Sequence, residues 1–303
     1  MKLGFICPNV PGHLNPMTAM ARQLQARAHE VVFLYSSGAA GLPFVPSDEK
    51  DQVNEKIPEV SKMQGEDAWQ FGARVLLAQT ESILKSSPAV VQANGIDAIV
   101  IDTVQFYAEL GAIQLEMPYV HVSAALHHDY SGYTPLSLYG WPHQTTPAAL
   151  VRNREGVARF VKVLEENNAG IRAHAKTVGL KVDWEDPGST LSPLASITQV
   201  PRAFDFESSH WPPQFHHTGP FHDGKGREPV DFPWERLTGE PLRRRSGRSA
   251  ADQAGSEQCH HRKAGAAIRI TETDFGLYHA RGIKHRTRVS GPRGPASGHP
   301  RSF

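Results

Sequence analysis

The amino-acid sequence predicts an α/β fold, a doubly wound parallel sheet, within its first 242 residues. Short apolar runs of strand type alternate along the chain with longer stretches in which apolar residues recur at helical spacing. Such alternation favours a parallel sheet with helices on both faces. The last sixty-one residues, in contrast, hold few large apolar side chains and are expected to form a disordered or poorly packed tail.

The opening 35 residues predict a βαβ unit. Lys2 to Cys7 form a short apolar strand, and Asn15 is expected to cap a helix with Pro16 in its first turn. That helix should close near Arg27. Glu30 to Tyr35 then give the second buried strand, and the crossover between the two strands should be right-handed.

The alternation continues further along the chain. Helices are expected at 67–85, 104–115 and 155–176, and strands at 96–101, 118–122 and 197–200. Ligands of parallel sheets bind at the carboxyl ends of the strands. This rule indicates the loops 8–15, 36–46, 102–106 and 123–145 as the region of the functional site.

Composition excludes several classes of protein. The 303 residues contain two cysteines and no run of about twenty apolar residues, so neither a disulfide framework nor a membrane span is expected, and the predicted compartment is the cytoplasm. Residues 243–303 carry 13 basic and 4 acidic side chains, against 19 and 27 in residues 1–242. The basic tail lacks the aromatic interleaving of a nucleic-acid module, so no nucleic-acid partner is expected.

His13 and Asp102 are the candidate catalytic residues. His13 lies in the first strand-to-helix loop, and Asp102 ends a predicted parallel strand, so both should reach the same edge of the sheet. A carboxylate that holds an imidazole fixes its tautomer and stabilises the imidazolium, which makes the imidazole a better base. A purely structural pairing of the two residues is the alternative.

An aromatic segment follows the strand at 118–122. His127, Tyr130, Tyr139 and Trp141 lie within fifteen residues of one another, together with several glycines and prolines. This composition is typical of a packed surface loop, or else of an apolar wall that binds a hydrophobic small molecule.

No cofactor and no metal are expected. The loop 8–13 lacks the G-x-G-x-x-G spacing of a dinucleotide site, and the second strand ends in Ser36-Ser37 where an acidic residue would bind ribose. The histidine pairs at 127–128, 216–217 and 260–261 lack the spacing of zinc ligands.

Residues 4–8 followed by 11–16 resemble the first loop of the GT-B glycosyltransferases, which use nucleotide sugars. The closer likeness is to the bacterial macrolide and carotenoid (zeaxanthin) glycosyltransferases. Further matches are Ile101-Asp102, Gln199-Val200-Pro201, Thr218-Gly219-Pro220-Phe221 and Phe232-Pro233-Trp234-Glu235. The resemblance covers residues 1–242. One departure is Ala28, where the family usually has a glycine with left-handed backbone.

The resemblance implies a Rossmann-like acceptor-binding domain and the transfer of a hexose from a nucleotide sugar, expected to be UDP-linked, to a hydroxyl of a hydrophobic acceptor. His13 would be the general base and Asp102 would orient it, in an inverting displacement. Contacts to the acceptor are expected from Pro11, Gly12, Asn15, Trp69, His127, Tyr130, Tyr139 and Trp141. The rival interpretations are a nucleotide-sugar epimerase and a non-catalytic small-molecule binding remnant. A peripheral association with membranes is left open.

Family members continue beyond Leu242 into a second doubly wound domain, whose His-Ala-Gly-x-Asn-Thr loop binds the diphosphate of the donor. No such loop is readable in residues 243–303, yet one shifted-frame decoding of Thr271 to Phe303 contains His-Ala-Gly-Leu-Asn-Thr. We interpret the tail as an out-of-frame remnant, and expect the chain as written to be catalytically incomplete. The expected domains are an acceptor-binding domain (1–220), a linker (221–242) and the basic tail (243–303).

Overall fold

A computed structural model describes residues 1–36, 38–47, 52–206 and 211–225. Its strands are β1 (Lys2–Ile6), β2 (Glu30–Leu34), β3 (Phe44–Val45), β4 (Ala98–Asp102), β5 (Tyr119–Ser123), β6 (Ser196–Thr198) and β7 (Phe215–His217). They form one sheet in the order β3-β2-β1-β4-β5-β6-β7, and every neighbouring pair is parallel. The predicted α/β fold with a parallel sheet is confirmed.

Within the described ranges, six α-helices connect these strands. They are α1 (Pro11–Gln25), α2 (Gln52–Val60), α3 (Gly65–Asn94), α4 (Glu109–Gln114), α5 (Pro147–Asn167) and α6 (Ala169–Thr177). The strand order reverses between β1 and β4, where the crossovers leave toward opposite sides of the sheet. At such a switch point the carboxyl ends of the strands open into a crevice, so the topology itself selects this edge for a ligand.

The two faces of the sheet bury different side chains. On one face, Met17 of α1 packs with Phe5, Val100 and Val122. Ile101 and its neighbours pack on the other face with residues of α3 and α4. Because side chains alternate along a strand, β4 directs Val100 and Asp102 toward the α1 face. Asp102 therefore leaves the sheet on the side where α1 begins.

The start of α1 differs from the prediction. The helix begins at Pro11, after Val10, and no side chain caps it. The expected cap at Asn15 is wrong: this residue lies inside the helix, and its carbonyl accepts a hydrogen bond from Thr18 Oγ1 at 2.9 Å. Proline at the first helical position loses no hydrogen bond, since the first N–H groups of a helix have no intrahelical partner. Pro11 therefore starts the helix two residues before His13.

Other boundaries also differ from the prediction. α3 runs from Gly65 to Asn94, where a helix was predicted at 67–85. Gly95 follows the last helical residue, and its left-handed φ of 59° terminates the helix. The helix predicted at 155–176 is divided into α5 and α6 by Asn168. β3, β7 and α2 were not predicted.

No helix in the described part of the chain combines the length and apolarity that a membrane span needs. The predicted linker is described only as far as Lys225, and the predicted tail lies outside the described residues.

Candidate functional site

A histidine and an aspartate meet at the carboxyl edge of the sheet. His13 is the third residue of α1 and Asp102 is the last residue of β4. His13 Nδ1 lies 2.8 Å from Asp102 Oδ2. The Asp102 side chain is fully buried, whereas 18% of the His13 side chain is exposed. The other carboxylate oxygen accepts the backbone N–H of Val104 at 3.1 Å, which holds the carboxylate in place.

This contact determines which ring nitrogen of His13 carries the proton. A carboxylate only accepts hydrogen bonds, so Nδ1–H donates to Asp102, and Nε2 keeps its lone pair for a proton. Burial alone would lower the pKa of His13, but the charge of Asp102 and the hydrogen bond to it outweigh burial and raise this pKa. The geometry is that of a general base held by a carboxylate.

A free thiol lies near the pair. Burial, and to a smaller degree the charge of Asp102, raise the pKa of the Cys7 thiol well above its ordinary value. The thiol therefore stays protonated at neutral pH, and a nucleophilic thiolate is not favoured at this position.

A cavity of about 210 Å³ begins directly after Asp102, since Thr103 and Val104 form part of its wall. Most of its wall is apolar or aromatic. Lining residues include Phe106, Tyr107, Leu126, His127, Tyr130, Leu164, Leu191, Trp211 and Phe215. Thr103 Oγ1 donates to Ser123 Oγ at 3.2 Å and so joins the ends of β4 and β5 beneath the cavity. His13 and Asp102 are not among the lining residues, and the link between the pair and the cavity is Val104, whose N–H bonds the Asp102 carboxylate.

The eight residues expected to contact an acceptor lie in three places: at the start of α1, on the cavity wall, and in aromatic packing away from the cavity. Pro11, Gly12 and Asn15 surround His13 in the first turns of α1. His127 and Tyr130 line the cavity.

Three aromatic residues lie elsewhere. Trp69 is buried in α3, and its ring lies 5.7 Å from that of Phe160. Tyr139 and Trp141 stack on each other at 4.3 Å, and Tyr139 Oη donates to the Gly156 carbonyl at 3.0 Å. The structure therefore places these three rings in packing contacts with α5 rather than on the cavity wall.

The sequence analysis did not identify a buried polar group at the cavity, formed by Glu109 and His121. Glu109 Oε1 accepts a hydrogen bond from Thr190 Oγ1 at 2.5 Å. His121 Nδ1 accepts the Ser192 N–H at 3.0 Å, which leaves Nε2 facing Glu109 Oε2 at 3.7 Å. A histidine between two valines in β5 was the signal that could have indicated this group.

A second imidazole–carboxylate group lies at the β7 side of the cavity. Asp205 Oδ2 lies 2.6 Å from His217 Nε2 and 3.3 Å from His127 Nε2. The His127 ring also contacts Trp211 and Phe215 edge-to-face, at centroid distances of 4.4 and 4.5 Å. Burial lowers the pKa of His127, and the nearby charge of Asp205 opposes this shift only in part.

Among the described residues, no group of three or more histidine, cysteine, aspartate or glutamate side chains is arranged to hold a metal ion.

The fold and the edge site together define a Rossmann-like α/β domain with a histidine–aspartate pair at the carboxyl edge of its sheet and a largely apolar cavity after β4. No protein-family model matches the chain. The chain is 24% identical over 223 residues to a zeaxanthin glucosyltransferase from Pseudescherichia vulneris, and 23% identical over 232 residues to one from Pantoea ananas.

These alignments cover 71% and 72% of the chain, but only 53% and 52% of the two enzymes. The chain thus spans about half the length of the curated relatives it matches. A solved structure, the calicheamicin glycosyltransferase CalG4, superimposes with a TM-score of 0.52 at 18% identity, over 72% of this chain and 52% of that one. The predicted resemblance to GT-B glycosyltransferases is confirmed.

Proposed function

We propose that this chain is the acceptor-binding half of an inverting glycosyltransferase, with His13 as its general base and Asp102 as the residue that orients the base. The reaction would transfer a hexose from a UDP sugar to a hydroxyl of a hydrophobic acceptor substrate. The observation that carries the proposal is the 2.8 Å contact between His13 Nδ1 and Asp102 Oδ2 at the carboxyl edge of the sheet.

Each residue of the pair has a defined part in this reaction. The acceptor hydroxyl gives its proton to His13 Nε2 while its oxygen forms a bond to the anomeric carbon of the sugar. The bond from that carbon to the diphosphate breaks, and the nucleoside diphosphate leaves with the electron pair. Asp102 stabilises the imidazolium that forms, because its carboxylate accepts a hydrogen bond from Nδ1–H and its negative charge lies close by.

The cavity would hold the apolar body of the acceptor substrate. Phe106, Leu126 and Leu164 supply apolar surface, and burial of such surface drives the binding of a hydrophobic ligand. The loop 102–104 connects this wall to the base. His121 and Ser123 of the cavity alternate with Val122, which packs on the α1 face, so the cavity opens on the face opposite to His13. A substrate hydroxyl would therefore have to pass over the carboxyl end of β4 to reach His13 Nε2.

The chain as written should bind an acceptor substrate but transfer sugar poorly or not at all. Transfer requires that donor and acceptor are held in line, and this positioning supplies much of the rate. The chain spans about half of its curated relatives. We propose the division into an acceptor-binding domain (1–220), a linker (221–242) and a tail (243–303) that supplies no donor site.

A chimera tests the proposal. Residues 1–242 would be joined to the C-terminal half of the Pseudescherichia vulneris zeaxanthin glucosyltransferase and assayed with UDP-glucose and hydrophobic alcohols. We expect transfer by the chimera and none by the 303-residue chain. His13→Ala should lower kcat of the chimera by about a hundredfold or more, as expected for loss of a general base.

His216→Ala is the matched control, because His216 is an exposed histidine on β7 and takes no part in the pair. It should retain the activity of the chimera. Hydrolysis or epimerisation of UDP-glucose without an acceptor, or full activity of His13→Ala, would contradict the proposal. Acceptor binding by the chimera without transfer would favour a non-catalytic binding module.

A further inference from the structure

The loop between β1 and α1 contains a buried asparagine that reaches the carboxyl end of β2. Only 7% of Asn9 is exposed. Asn9 Nδ2 donates to the Tyr35 carbonyl at 3.3 Å, so its Oδ1 faces Ser36 and accepts from Ser36 Oγ at 2.8 Å. The Ser36 hydroxyl also lies 2.7 Å from the Gly38 carbonyl, and its one proton is shared between the two acceptors. The loop that leads to His13 is therefore tied to β2 by side-chain hydrogen bonds.

The backbone of His13 depends on the same loop. Val10 follows Asn9 directly, and its carbonyl accepts the N–H of His13 at 3.0 Å and the N–H of Leu14 at 2.8 Å. No side chain of a described residue caps α1 by a hydrogen bond. The position of the first helical turn thus depends on where Val10 lies, and the bonds of Asn9 hold the chain immediately before it.

Tyr35 presents its carbonyl to Asn9 through an uncommon backbone conformation. Its φ is 58°, in the left-handed region that residues with a side chain rarely adopt. The ring packs on the opposite face of the sheet from α1, where its hydroxyl lies 3.2 Å from Ser87 Oγ. Such a conformation persists only where surrounding contacts compensate its cost. The bond from Asn9 is one of these contacts, so the geometry at the end of β2 is specified by its neighbours.

His13 is held from both sides of β1. β2 and β4 are the two neighbours of β1 in the sheet. Asp102 at the end of β4 holds the imidazole at 2.8 Å, and the end of β2 holds the backbone before α1 through Asn9. A displacement of His13 by about 1 Å away from Asp102 would lengthen their contact beyond hydrogen-bonding distance. The contact therefore requires that the start of α1 is fixed.

We propose that Asn9 and Ser36 are positioning residues for His13, which fix the start of α1 so that the imidazole keeps its contact with Asp102. The inference rests on the proposed function where it concerns turnover, since that function makes His13 the base. Neither Asn9 nor Ser36 touches the substrate or exchanges a proton in this arrangement. The competing explanation is a purely structural role, in which the two residues stabilise the fold without affecting the imidazole.

Asn9→Ala and Ser36→Ala test the inference in the 303-residue chain. Histidine titrations followed by NMR report on the contact, because burial lowers the pKa of His13 while the charge of Asp102 and its hydrogen bond raise it. Both substitutions should lower this pKa, and Ser36→Ala should lower it less, since the bond to Tyr35 remains. The double variant should titrate like Asn9→Ala, because partners in one hydrogen bond do not act independently. Ser36→Thr keeps the hydroxyl and should retain the parent titration.

Asn153→Ala is the matched control. Asn153 is a fully buried asparagine of α5, and its Nδ2 donates to the Tyr133 carbonyl at 3.4 Å. The substitution makes the same chemical change as Asn9→Ala on an element that does not carry His13. Both should lower the free energy of unfolding in urea, because each removes hydrogen bonds of a buried group. Only Asn9→Ala should shift the His13 titration.

Turnover gives a second measurement, in the chimera of residues 1–242 with the C-terminal half of the zeaxanthin glucosyltransferase. Asn9→Ala should lower kcat about tenfold or more, since a base displaced from its working position slows the chemical step. KM for the acceptor substrate should stay within about twofold, because no contact to the substrate is removed.

The outcomes separate the two roles. An unchanged His13 titration in Asn9→Ala and Ser36→Ala, or an equal shift in Asn153→Ala, would leave a structural role only and overturn the inference. If Asn9→Ala does not fold, the milder Ser36→Ala decides by the same titration. A chimera that is inactive with all parent residues would contradict the proposed function alone, because the titration requires no turnover.

Discussion

His13 Nδ1 and Asp102 Oδ2 lie 2.8 Å apart although 89 residues separate them along the chain. The sheet topology produces this contact, because β1 and β4 are parallel neighbours and their carboxyl ends meet at one edge. α1 begins at Pro11 directly after that edge, which places His13 one turn into the helix and above the buried carboxylate. The pair is therefore fixed by two regular elements rather than by a loop.

Asp102→Asn should lower the pKa of His13. The charge of Asp102 and its hydrogen bond are what raise this pKa, while burial acts in the opposite direction and would remain. Histidine titrations followed by NMR in the 303-residue chain measure the effect. Asp97→Asn is the control, since Asp97 is exposed and bonds the N–H of Lys2. An unchanged His13 titration in Asp102→Asn would contradict the assigned cause.

The stability of the protein should depend on His13 in a pH-dependent way. A pKa that is raised in the folded state means that folding favours the protonated imidazole. This contribution is fully present below the ordinary histidine pKa of about 6.5 and is lost as the pH rises through the raised value.

The free energy of unfolding in urea should therefore fall more on His13→Ala at pH 5.5 than at pH 9. His216→Ala, at an exposed position, should show no such difference between the two pH values. A larger cost of His13→Ala at pH 9 would reverse the sign and contradict the raised pKa.

The sequence was sufficient to predict the central strands and the meeting of His13 with Asp102. β1, β2, β4 and β5 are five-residue strands in which apolar residues predominate. The carboxyl-edge rule then brings the loop after β1 close to the last residue of β4. β3 and β7 have two and three residues, which is too short for any periodicity to be visible. The residue pattern therefore predicted the central strands of the sheet but not the two edge strands, β3 and β7.

The cavity was less accessible to prediction. Its lining residues come from the loops after β4 and β5, from α4 and α5, from the segment 187–191 and from the segment around β7, so only the folded chain brings them together. The aromatic loop was recognised, but composition could not separate its cavity-facing rings from its packed ones. Tyr139 and Trp141 pack near Gly156 of α5, where an added Cβ would lie within 3 Å of both rings, a contact invisible in local sequence.

Ala28→Gly should stabilise the protein by about 1 kcal/mol. Ala28 has a φ of 65°, in the left-handed region, and its side chain is exposed, so the change relieves backbone strain without loss of packing. Ala26→Gly is the matched control. Ala26 is also exposed but has a φ of −63°, so glycine should destabilise there. Urea unfolding of the two variants should give changes of opposite sign, and a loss of stability in both would contradict the strain at Ala28.

Thr146→Ala should cost about 1 kcal/mol of stability. Thr146 caps α5, since its Oγ1 accepts the backbone N–H of Ala149 at 3.3 Å. Thr145→Ala, one residue earlier and also exposed, should change the unfolding free energy by less than about 0.5 kcal/mol. Equal effects of the two substitutions would contradict the cap.

We propose that the gene encodes the missing donor loop in another reading frame beyond codon 242. A shifted-frame decoding of Thr271 to Phe303 contains His-Ala-Gly-Leu-Asn-Thr, in the position expected for a diphosphate loop before a helix. Backbone N–H groups at a helix N-terminus bind phosphate, so a chain with the restored frame should gain affinity for UDP sugars. Translation of the other two frames is the first check, and calorimetry with UDP-glucose on the 303-residue and frame-restored chains is the second. Absence of the loop from both frames, or micromolar UDP-glucose binding by the 303-residue chain, would overturn this explanation of the tail.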